Sequence, residues 1–282
     1  MARPDGVPAL RASMLRAVVT ARGRGGDALP REPGVRLGVQ VDRAHLAAYD
    51  RLCGFAVRDE LATTYLHVLS FPLQVALMAA PQFPLALPGL VHTTQRLELL
   101  RPVRADERLD LSARATTLRP HRRGRTVEIE SIATIDDERV WRGVSTYLAR
   151  DAGSPAGPPS EHTPSQQTAQ GPPAARLRLP ADLGRRYAAV SGDLNPIHLH
   201  PWAARAFGFP RTIVHGMWTA ARCLAWLGDA PAGAEVRDVE LRRPVLLPST
   251  IELRTQGVDG RRSVSVTSPG SAKPLVLVRV GE

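Results

Sequence analysis

The two halves of this chain resemble each other, and that internal repeat limits its architecture more than any other feature of the sequence. In the first matching segment Tyr49 lies over Tyr187, and Gly54 lies over Gly192. Three segments match in the same order along the 282 residues: 39–55 with 177–193, 65–68 with 213–216, and 97–103 with 239–245. Because the matches keep their order, the sequence predicts two structural units of similar fold.

Each half contains a short strand, a helical region and then four segments typical of antiparallel strands. Apolar and polar side chains alternate in these segments, which cover 92–104, 108–118, 124–135 and 138–149 in the first half and 236–247, 250–258, 261–268 and 274–281 in the second. Four strands that bury one face need a cover, and a long helix wrapped by a curved sheet provides it. We therefore predict an α+β double hotdog fold in which the sheets of the two halves are continuous.

A segment rich in proline and glycine separates the halves. Residues 151–175 contain no aliphatic side chain larger than alanine, so they cannot form a core and are predicted to be a disordered linker. One hotdog half then covers 35–150, and the other covers 176–282. Residues 1–34 are predicted to be an N-terminal extension that can form a short helix.

The composition excludes several classes of protein. Hydrophobic residues make up 43% and charged residues 23% of the chain, as in ordinary globular proteins. The net charge of +10 comes from arginines spread along the whole chain, and aromatic residues are only 5%, unlike the concentrated basic faces of nucleic-acid-binding proteins. We expect no nucleic-acid partner and no membrane span. With two cysteines and no secretory signal, a cytoplasmic location is expected.

The two halves differ in the segment that precedes the long helix. Between the matched glycine and the matched histidine there are 13 positions in the first half, from Gly54 to His67, and 23 in the second, from Gly192 to His215. The sequence therefore predicts a ten-residue insertion in the second half. Since His67 occurs in the half without the insertion, we expect His215 to have a structural role rather than to act as a second base.

The inserted residues include a carboxylate, an imidazole and the start of a helix. Asn195 followed by Pro196 is typical of an N-cap and first helical position, so a helix is predicted to begin here and to run to Phe207. His198 lies in its first turn, where the helix dipole disfavours the imidazolium and the neutral ring can accept a proton near pH 7. Asp193 precedes the helix and can form an acid/base pair with that ring. Taken alone, such a turn is more often a simple helix cap.

The sequence around these residues resembles a known signature. Residues 187–198 read YAAVSGDLNPIH and are similar, position by position, to the hydratase 2 motif of the MaoC-like, R-specific enoyl-CoA hydratases and dehydratases. Residues 208–217, GFPRTIVHGM, also resemble this family. The first half resembles the degenerate hotdog of its double-hotdog members in layout. The resemblance implies a lyase that interconverts trans-2-enoyl and (R)-3-hydroxyacyl thioesters in fatty-acid metabolism.

The resemblance also implies roles for individual residues. Asp193 and His198 would hold the water that adds to C3 of the enoyl thioester, with a proton delivered to C2. The backbone N–H of Gly216, at the start of the second long helix, would form the oxyanion hole. Four residues would support the catalytic loop: Ser191, Gly192, Asn195 and Pro196.

The first half is expected to bind the acyl chain rather than to catalyse. Phe55 stands where the second half has Asp193, and the histidine-bearing helix is absent, so one active site per chain is predicted. The missing helix also leaves apolar space over the long helix of the first half. This space is predicted to form an acyl-chain groove lined by Phe71, Ala76 and Ala79.

The predicted substrate is a thioester of CoA or of acyl carrier protein, a choice that the sequence leaves open. Arg242 and Arg243 are candidates for binding the carrier phosphate, with a solvated surface as the alternative. No resident cofactor or metal is expected, because CoA or phosphopantetheine arrives with the substrate. A hotdog acyl-thioesterase and a non-catalytic acyl-thioester-binding subunit are the alternative functions. The chain is expected to be a monomer with pseudo-dimeric halves or a homodimer of double hotdogs.

Overall fold

The computed structural model describes residues 26–87, 89–150, 171–228, 235–258 and 261–281. Its strands are β1 (Gly34–Val39), β2 (Val91–Leu99), β3 (Leu109–His121), β4 (Gly124–Ile135), β5 (Glu138–Arg150), β6 (Ala175–Leu179), β7 (Glu235–Leu241), β8 (Ser249–Val258), β9 (Arg261–Thr267) and β10 (Val276–Gly281). Its helices are α1 (Arg43–Cys53), α2 (Thr63–Ala79), α3 (Leu183–Ser191), α4 (Pro196–Leu199), α5 (Pro201–Ala206) and α6 (Gly216–Trp226).

Most of the predicted N-terminal extension and most of the predicted linker lie outside the described residues, at 1–25 and 151–170. The bounds of the four predicted segments therefore stay predictions. Among the residues that the structure does describe, no helix combines the length and the apolar character that a membrane crossing requires.

The ten strands form one antiparallel sheet in the order β1-β3-β4-β5-β2-β7-β10-β9-β8-β6. The first five strands in this order belong to the first half and the last five to the second, so the sheet is nearly symmetric about its centre. The halves join where β2 pairs with β7, from Thr94 opposite Glu240 to Leu99 opposite Glu235. This arrangement confirms the predicted sheet that continues from one half into the other.

All eight strands predicted from alternation are present, with small differences at their ends. The largest difference is that β2 and β7 end several residues earlier than predicted, at Leu99 and Leu241. A proline follows each end, Pro102 after β2 and Pro244 after β7. Because proline has no N–H to donate to a neighbouring strand, it ends the ladder at these points.

The long helices α2 and α6 contribute to one hydrophobic core that both halves share. At the junction, the matched side chains of Tyr49 and Tyr187 contact each other, with ring centroids 6.3 Å apart. The indole Nε1 of Trp218 on α6 donates a hydrogen bond to the Leu52 carbonyl of the first half, at 3.2 Å. Each half therefore supplies packing partners and hydrogen-bond partners to the other.

The predicted alignment of His67 with His215 is wrong. The two halves make the same backbone hydrogen bond before the long helix, from Leu61 N to Val103 O at 2.8 Å and from Val214 N to the carbonyl of Val245 at 2.9 Å. The two acceptors, Val103 and Val245, occupy equivalent positions in the matched segments 97–103 and 239–245. Their donors are therefore equivalent too, and Leu61 corresponds to Val214.

The residue that corresponds to His215 is therefore Ala62, and both residues are N-caps of the long helices. Ala62 follows Gly54 by eight positions, whereas His215 follows Gly192 by twenty-three, so the insertion is fifteen residues long rather than ten. The error arose because two histidines were taken to be equivalent, although α2 begins before His67.

The helix predicted from Pro196 to Phe207 is interrupted. Helix α4 ends at Leu199, and α5 begins at Pro201. Between them His200 is extended, with φ −131° and ψ 127°. A residue before proline is disfavoured in the helical region, so Pro201 imposes this break.

The shared sheet and core generate a prediction about the isolated second half. Expressed alone, residues 171–282 would leave β7 without its β2 partner and would expose the apolar surface that the first half covers. We expect this fragment to aggregate or to pair with itself in size-exclusion chromatography with light scattering. A stable monomeric fragment would show that the halves fold independently.

Candidate active site

A cavity of about 1140 Å³ spans both halves of the chain. Asp193, His198 and Gly216 line it from the second half, and His67 and Phe71 line it from the first. The three residues predicted to act chemically thus face one space. Their catalytic roles stay predictions, since geometry alone does not measure turnover.

A tight turn positions Asp193. Helix α3 ends at Gly192, whose φ of +73° favours glycine, and the chain then reverses toward the cavity. The Asp193 N–H donates to Ser191 Oγ at 3.2 Å, and Asp193 Oδ1 accepts from the Asn195 N–H at 3.1 Å. Asn195 in turn caps α4, where Pro196 occupies the first position and the Asn195 side chain accepts from Ile197 N at 3.4 Å. All four predicted loop residues therefore lie in this turn or at its ends, and their support of catalysis stays a prediction. Asp193 Oδ2 lies 3.8 Å from His215 Nε2.

The ring of His198 is held as a neutral base. Its Nδ1 lies 2.9 Å from the Ile213 carbonyl oxygen, which can only accept, so Nδ1 carries the proton and Nε2 has the free lone pair. Burial lowers the pKa of His198 below its ordinary value, and the nearby Asp193 charge opposes part of that shift. The predicted neutral imidazole is thus explained mainly by burial rather than by the dipole of the four-residue helix α4.

His215 stacks on His198 and supports the turn that contains Asp193. Its ring centroid lies 3.7 Å from that of His198 and 5.0 Å from that of Tyr187. Its Nε2 lies 3.0 Å from the Asp193 carbonyl oxygen and donates to it, which ties the N-cap of α6 to this turn. Burial and the neighbouring His198 hold the pKa of His215 well below its ordinary value, so this ring is neutral.

The three groups are close enough to share one water molecule. A carboxylate oxygen of Asp193 and one ring nitrogen each of His198 and His215 lie within 4.8 Å of one another. The same spacing could suit a metal ion. Each ring donates a hydrogen bond from one nitrogen to a backbone carbonyl and keeps the other nitrogen as an acceptor, an arrangement that metal-ligating histidines also show. The arrangement can hold a water between Asp193 and His198, and the expected absence of a metal stays a prediction.

Gly216 begins α6, where the first N–H groups have no helical acceptor and can stabilise a developing negative charge. A Cβ at this position would overlap the Leu241 side chain, so glycine lets α6 approach the end of β7 without displacing that side chain. The structure thus places Gly216, the residue predicted for the oxyanion hole, in the cavity wall.

Gly184 positions α4, a role that the motif did not indicate. A Cβ at Gly184 would overlap the backbone carbonyl of His198, so this glycine lets the inserted segment pack directly on α3. The matched position in the first half is Leu46, a buried core residue. The substitution of leucine by glycine between matched halves was the available signal, and it lay outside the signature.

The first-half groove differs from its prediction. Phe71 lines the cavity as predicted, but Ala76 is exposed and Ala79 is buried away from it, so both alanine assignments are wrong. With 3.6 residues per turn, the face of α2 that contains Phe71 continues through Val75 and Met78. These two larger side chains line the cavity instead.

Arg242 and Arg243 lie at the cavity wall, near the end of β7. Arg242 Nη2 forms an ion pair with Glu240 at 2.7 Å, so part of its charge is already compensated. Arg150 and Arg211 also line the cavity. The structure thus places positive charge beside the cavity, and the phosphate-binding role stays a prediction.

Comparisons with known proteins agree with this site. Residues 157–273 match the family model described as MaoC like domain. The chain is 34% identical to 3-hydroxyacyl-thioester dehydratase X of Mycobacterium tuberculosis over 254 residues, which cover 90% of each protein. The crystal structure of the M. tuberculosis protein HtdX superposes with a TM-score of 0.78 and 32% identity, and covers 88% of this chain and 99% of that one.

A second M. tuberculosis structure, described as a double hotdog fold, matches with a TM-score of 0.53 and 14% identity over 89% of this chain and 96% of that one. At this identity the likeness concerns the fold alone. Together with HtdX, it confirms the predicted double hotdog.

The packing of Gly184 predicts that its replacement by alanine lowers the free energy of unfolding, the opposite of the usual effect in a helix. Alanine normally stabilises a helix interior relative to glycine by roughly 0.5–1 kcal/mol. Here Gly184→Ala should instead destabilise by about 1–3 kcal/mol, because the methyl group displaces the His198 carbonyl. Urea denaturation measures this change, and Arg185→Ala, at the adjacent exposed position, is the matched control. Increased stability of Gly184→Ala would contradict the proposed packing of α4.

The buried histidines predict that stability falls in mild acid. Burial lowers the pKa of His67 from 6.5 to about 3, so below pH 6.5 the unfolded chain binds a proton there that the folded chain does not bind. The free energy of unfolding should therefore decrease as the pH falls, by up to about 1.4 kcal/mol per unit for this residue. Urea denaturation of His67→Gln should show a shallower slope between about pH 6.5 and 5. His200→Gln, at an exposed position, should retain the full slope, and an unchanged slope in His67→Gln would refute this account.

Proposed function

The chain belongs to the MaoC-like family, and from this membership we propose that it is a hydro-lyase that interconverts trans-2-enoyl thioesters and (R)-3-hydroxyacyl thioesters. The observation that supports this most directly is the convergence of Asp193, the free Nε2 of His198 and the Gly216 amide on one cavity. The relative named 3-hydroxyacyl-thioester dehydratase X supports the same reaction class.

In the hydration direction, Asp193 and His198 hold one water. His198 Nε2 can take a proton from that water as its oxygen bonds to C3 of the enoyl group, because burial keeps the ring neutral. The C2–C3 double bond then supplies electrons toward the thioester carbonyl, whose developing negative charge the Gly216 N–H stabilises. A proton returned to C2 completes the addition, and dehydration is the reverse.

The first half binds the acyl chain in this proposal. Its part of the cavity contains no counterpart of Asp193 or His198, and Phe71, Val75 and Met78 give it an apolar wall. We assign the phosphates of the carrier, CoA or acyl carrier protein, to arginines in the cavity wall, with Arg242 and Arg243 as the candidates. The chain needs no resident cofactor or metal for these steps, since the substrate brings its own CoA or phosphopantetheine.

The experiment is an assay of crotonyl-CoA hydration with a chelator present. The loss of enoyl absorbance measures hydration, and the release of free thiol measures thioester hydrolysis. Asp193→Asn and His198→Ala should each lower the hydration rate by roughly 10²–10⁴, the usual contribution of a positioned acid/base group. The double variant should be little worse than either single variant, because both groups act on one water.

His200→Ala provides a matched control for the His198 variant, since His200 is adjacent and exposed. It should retain wild-type activity. Release of free thiol without hydration would indicate a thioesterase. If neither the enoyl absorbance decreases nor free thiol appears, the protein binds the thioester without converting it. A loss of less than tenfold in Asp193→Asn or His198→Ala would remove that residue from the catalytic role.

A further inference from the structure

One face of α2 forms the first-half wall of the cavity. His67, Phe71, Val75 and Met78 are spaced so that they lie on the same side of this helix, and all four line the cavity. At 1.5 Å per residue, the stripe is about 16 Å long. Three of its members are apolar, as an acyl chain requires, but the first is a buried histidine.

Two further polar side chains extend this polar region, one beside His67 and the next beside that neighbour. The ring of His92, from β2, stacks at 6.1 Å from His67 and at 4.7 Å from Tyr147 of β5. All three line the cavity, and His67 and Tyr147 are 3% and 6% exposed. We call His67, His92 and Tyr147 the polar wall. Apart from Arg150, the other first-half side chains that line the cavity are apolar.

The polar wall faces the same cavity as Asp193. Burial lowers the pKa of His92 to about 4 and raises the pKa of Tyr147, and the Asp193 charge has a smaller, upward effect on each. Met78 lies at the other end of the stripe from His67, in an apolar cluster that also contains Tyr147. An acyl chain that lies along the stripe would therefore contact the polar wall as well as the apolar side chains.

One buried atom of the polar wall has no hydrogen-bond partner among the described residues. His92 Nε2 donates to the Thr94 carbonyl at 3.0 Å, so the Nδ1 of the neutral ring is an acceptor. Tyr147 Oη donates to Gln74 Oε1 at 2.9 Å and also interacts with Ser145. His67 Nδ1, by contrast, is buried and has no partner in the part of the chain that the structure describes. Contact with methylene groups alone would leave His67 Nδ1 unsatisfied, which is unfavourable.

We propose that the polar wall makes the site selective for acyl chains that carry a hydroxyl group beyond C3. A hydroxyl can donate to His92 Nδ1 or Tyr147 Oη and can also accept from a His67 N–H, whereas a keto oxygen could only accept. The apolar stretch from Phe71 to Met78 then binds the rest of the chain. This inference rests on the proposed function for the direction of the acyl chain, but it concerns binding rather than turnover.

The test uses saturated acyl-CoA thioesters, which cannot be hydrated, so that binding is measured apart from catalysis. Pairs of equal length, with and without one hydroxyl at successive positions beyond C3, are titrated into the full chain by calorimetry. At the matching position the hydroxylated thioester should bind about threefold to tenfold more tightly, the contribution of one net hydrogen bond. His67→Phe and His92→Phe should each reduce or abolish that ratio.

Val75→Ala is the matched control, because it alters the apolar part of the same stripe. It should weaken the binding of both thioesters of a pair in parallel and preserve the ratio of their dissociation constants. This ratio does not depend on the fraction of folded protein, so a partly unfolded variant remains informative. Equal binding at every hydroxyl position, or a ratio unchanged in both phenylalanine variants, would overturn the inference. Absence of crotonyl-CoA hydration, by contrast, would overturn the proposed function only.

Discussion

The hydrogen bond from His198 Nδ1 to the Ile213 carbonyl is the interaction on which the site depends. At 2.9 Å it fixes the tautomer and the orientation of the ring, and so determines which nitrogen can act as a base. The Ile213 N–H also bonds back to the Ile197 carbonyl at 3.3 Å, and Ile213 forms a bridge with Leu246. One backbone residue thereby joins the inserted helix to the body of the second half.

The asymmetry between the halves follows from accommodating that inserted segment. Where the first half has Leu46 in the core, the second half has Gly184, which leaves room for the His198 carbonyl. Where the first half caps its long helix with Ala62, the second has His215, which holds the catalytic turn through the Asp193 carbonyl. The second half thus contains the predicted catalytic residues, and the first half widens the cavity.

Sequence patterns predicted most of the fold, because alternation is a local signal and the repeat can be seen by comparing the two halves. The strands and the turn from Asp193 to His198 follow from residues that are close in sequence, and the symmetric sheet follows from the repeat. Two predictions were wrong because a single backbone constraint or a distant partner determines the structure there. Pro201 interrupts the helix that was predicted to run to Phe207. The start of α2 before His67 shows that this histidine does not correspond to His215. The polar wall was missed since β2, β5 and α2 bring its members together only in three dimensions.

The central claim is that a single water, held by Asp193 and His198 on one side of the cavity, supplies both the hydroxyl at C3 and the proton at C2. Hydration of crotonyl-CoA in deuterium oxide tests it most directly, with the configuration at C2 and C3 determined by NMR of the product. Because one water supplies both groups, the account predicts that the deuterium and the hydroxyl add to the same face, and the proposed specificity predicts (R)-3-hydroxybutyryl-CoA. Addition to opposite faces would contradict the single-water account, and an S product would contradict the proposed specificity.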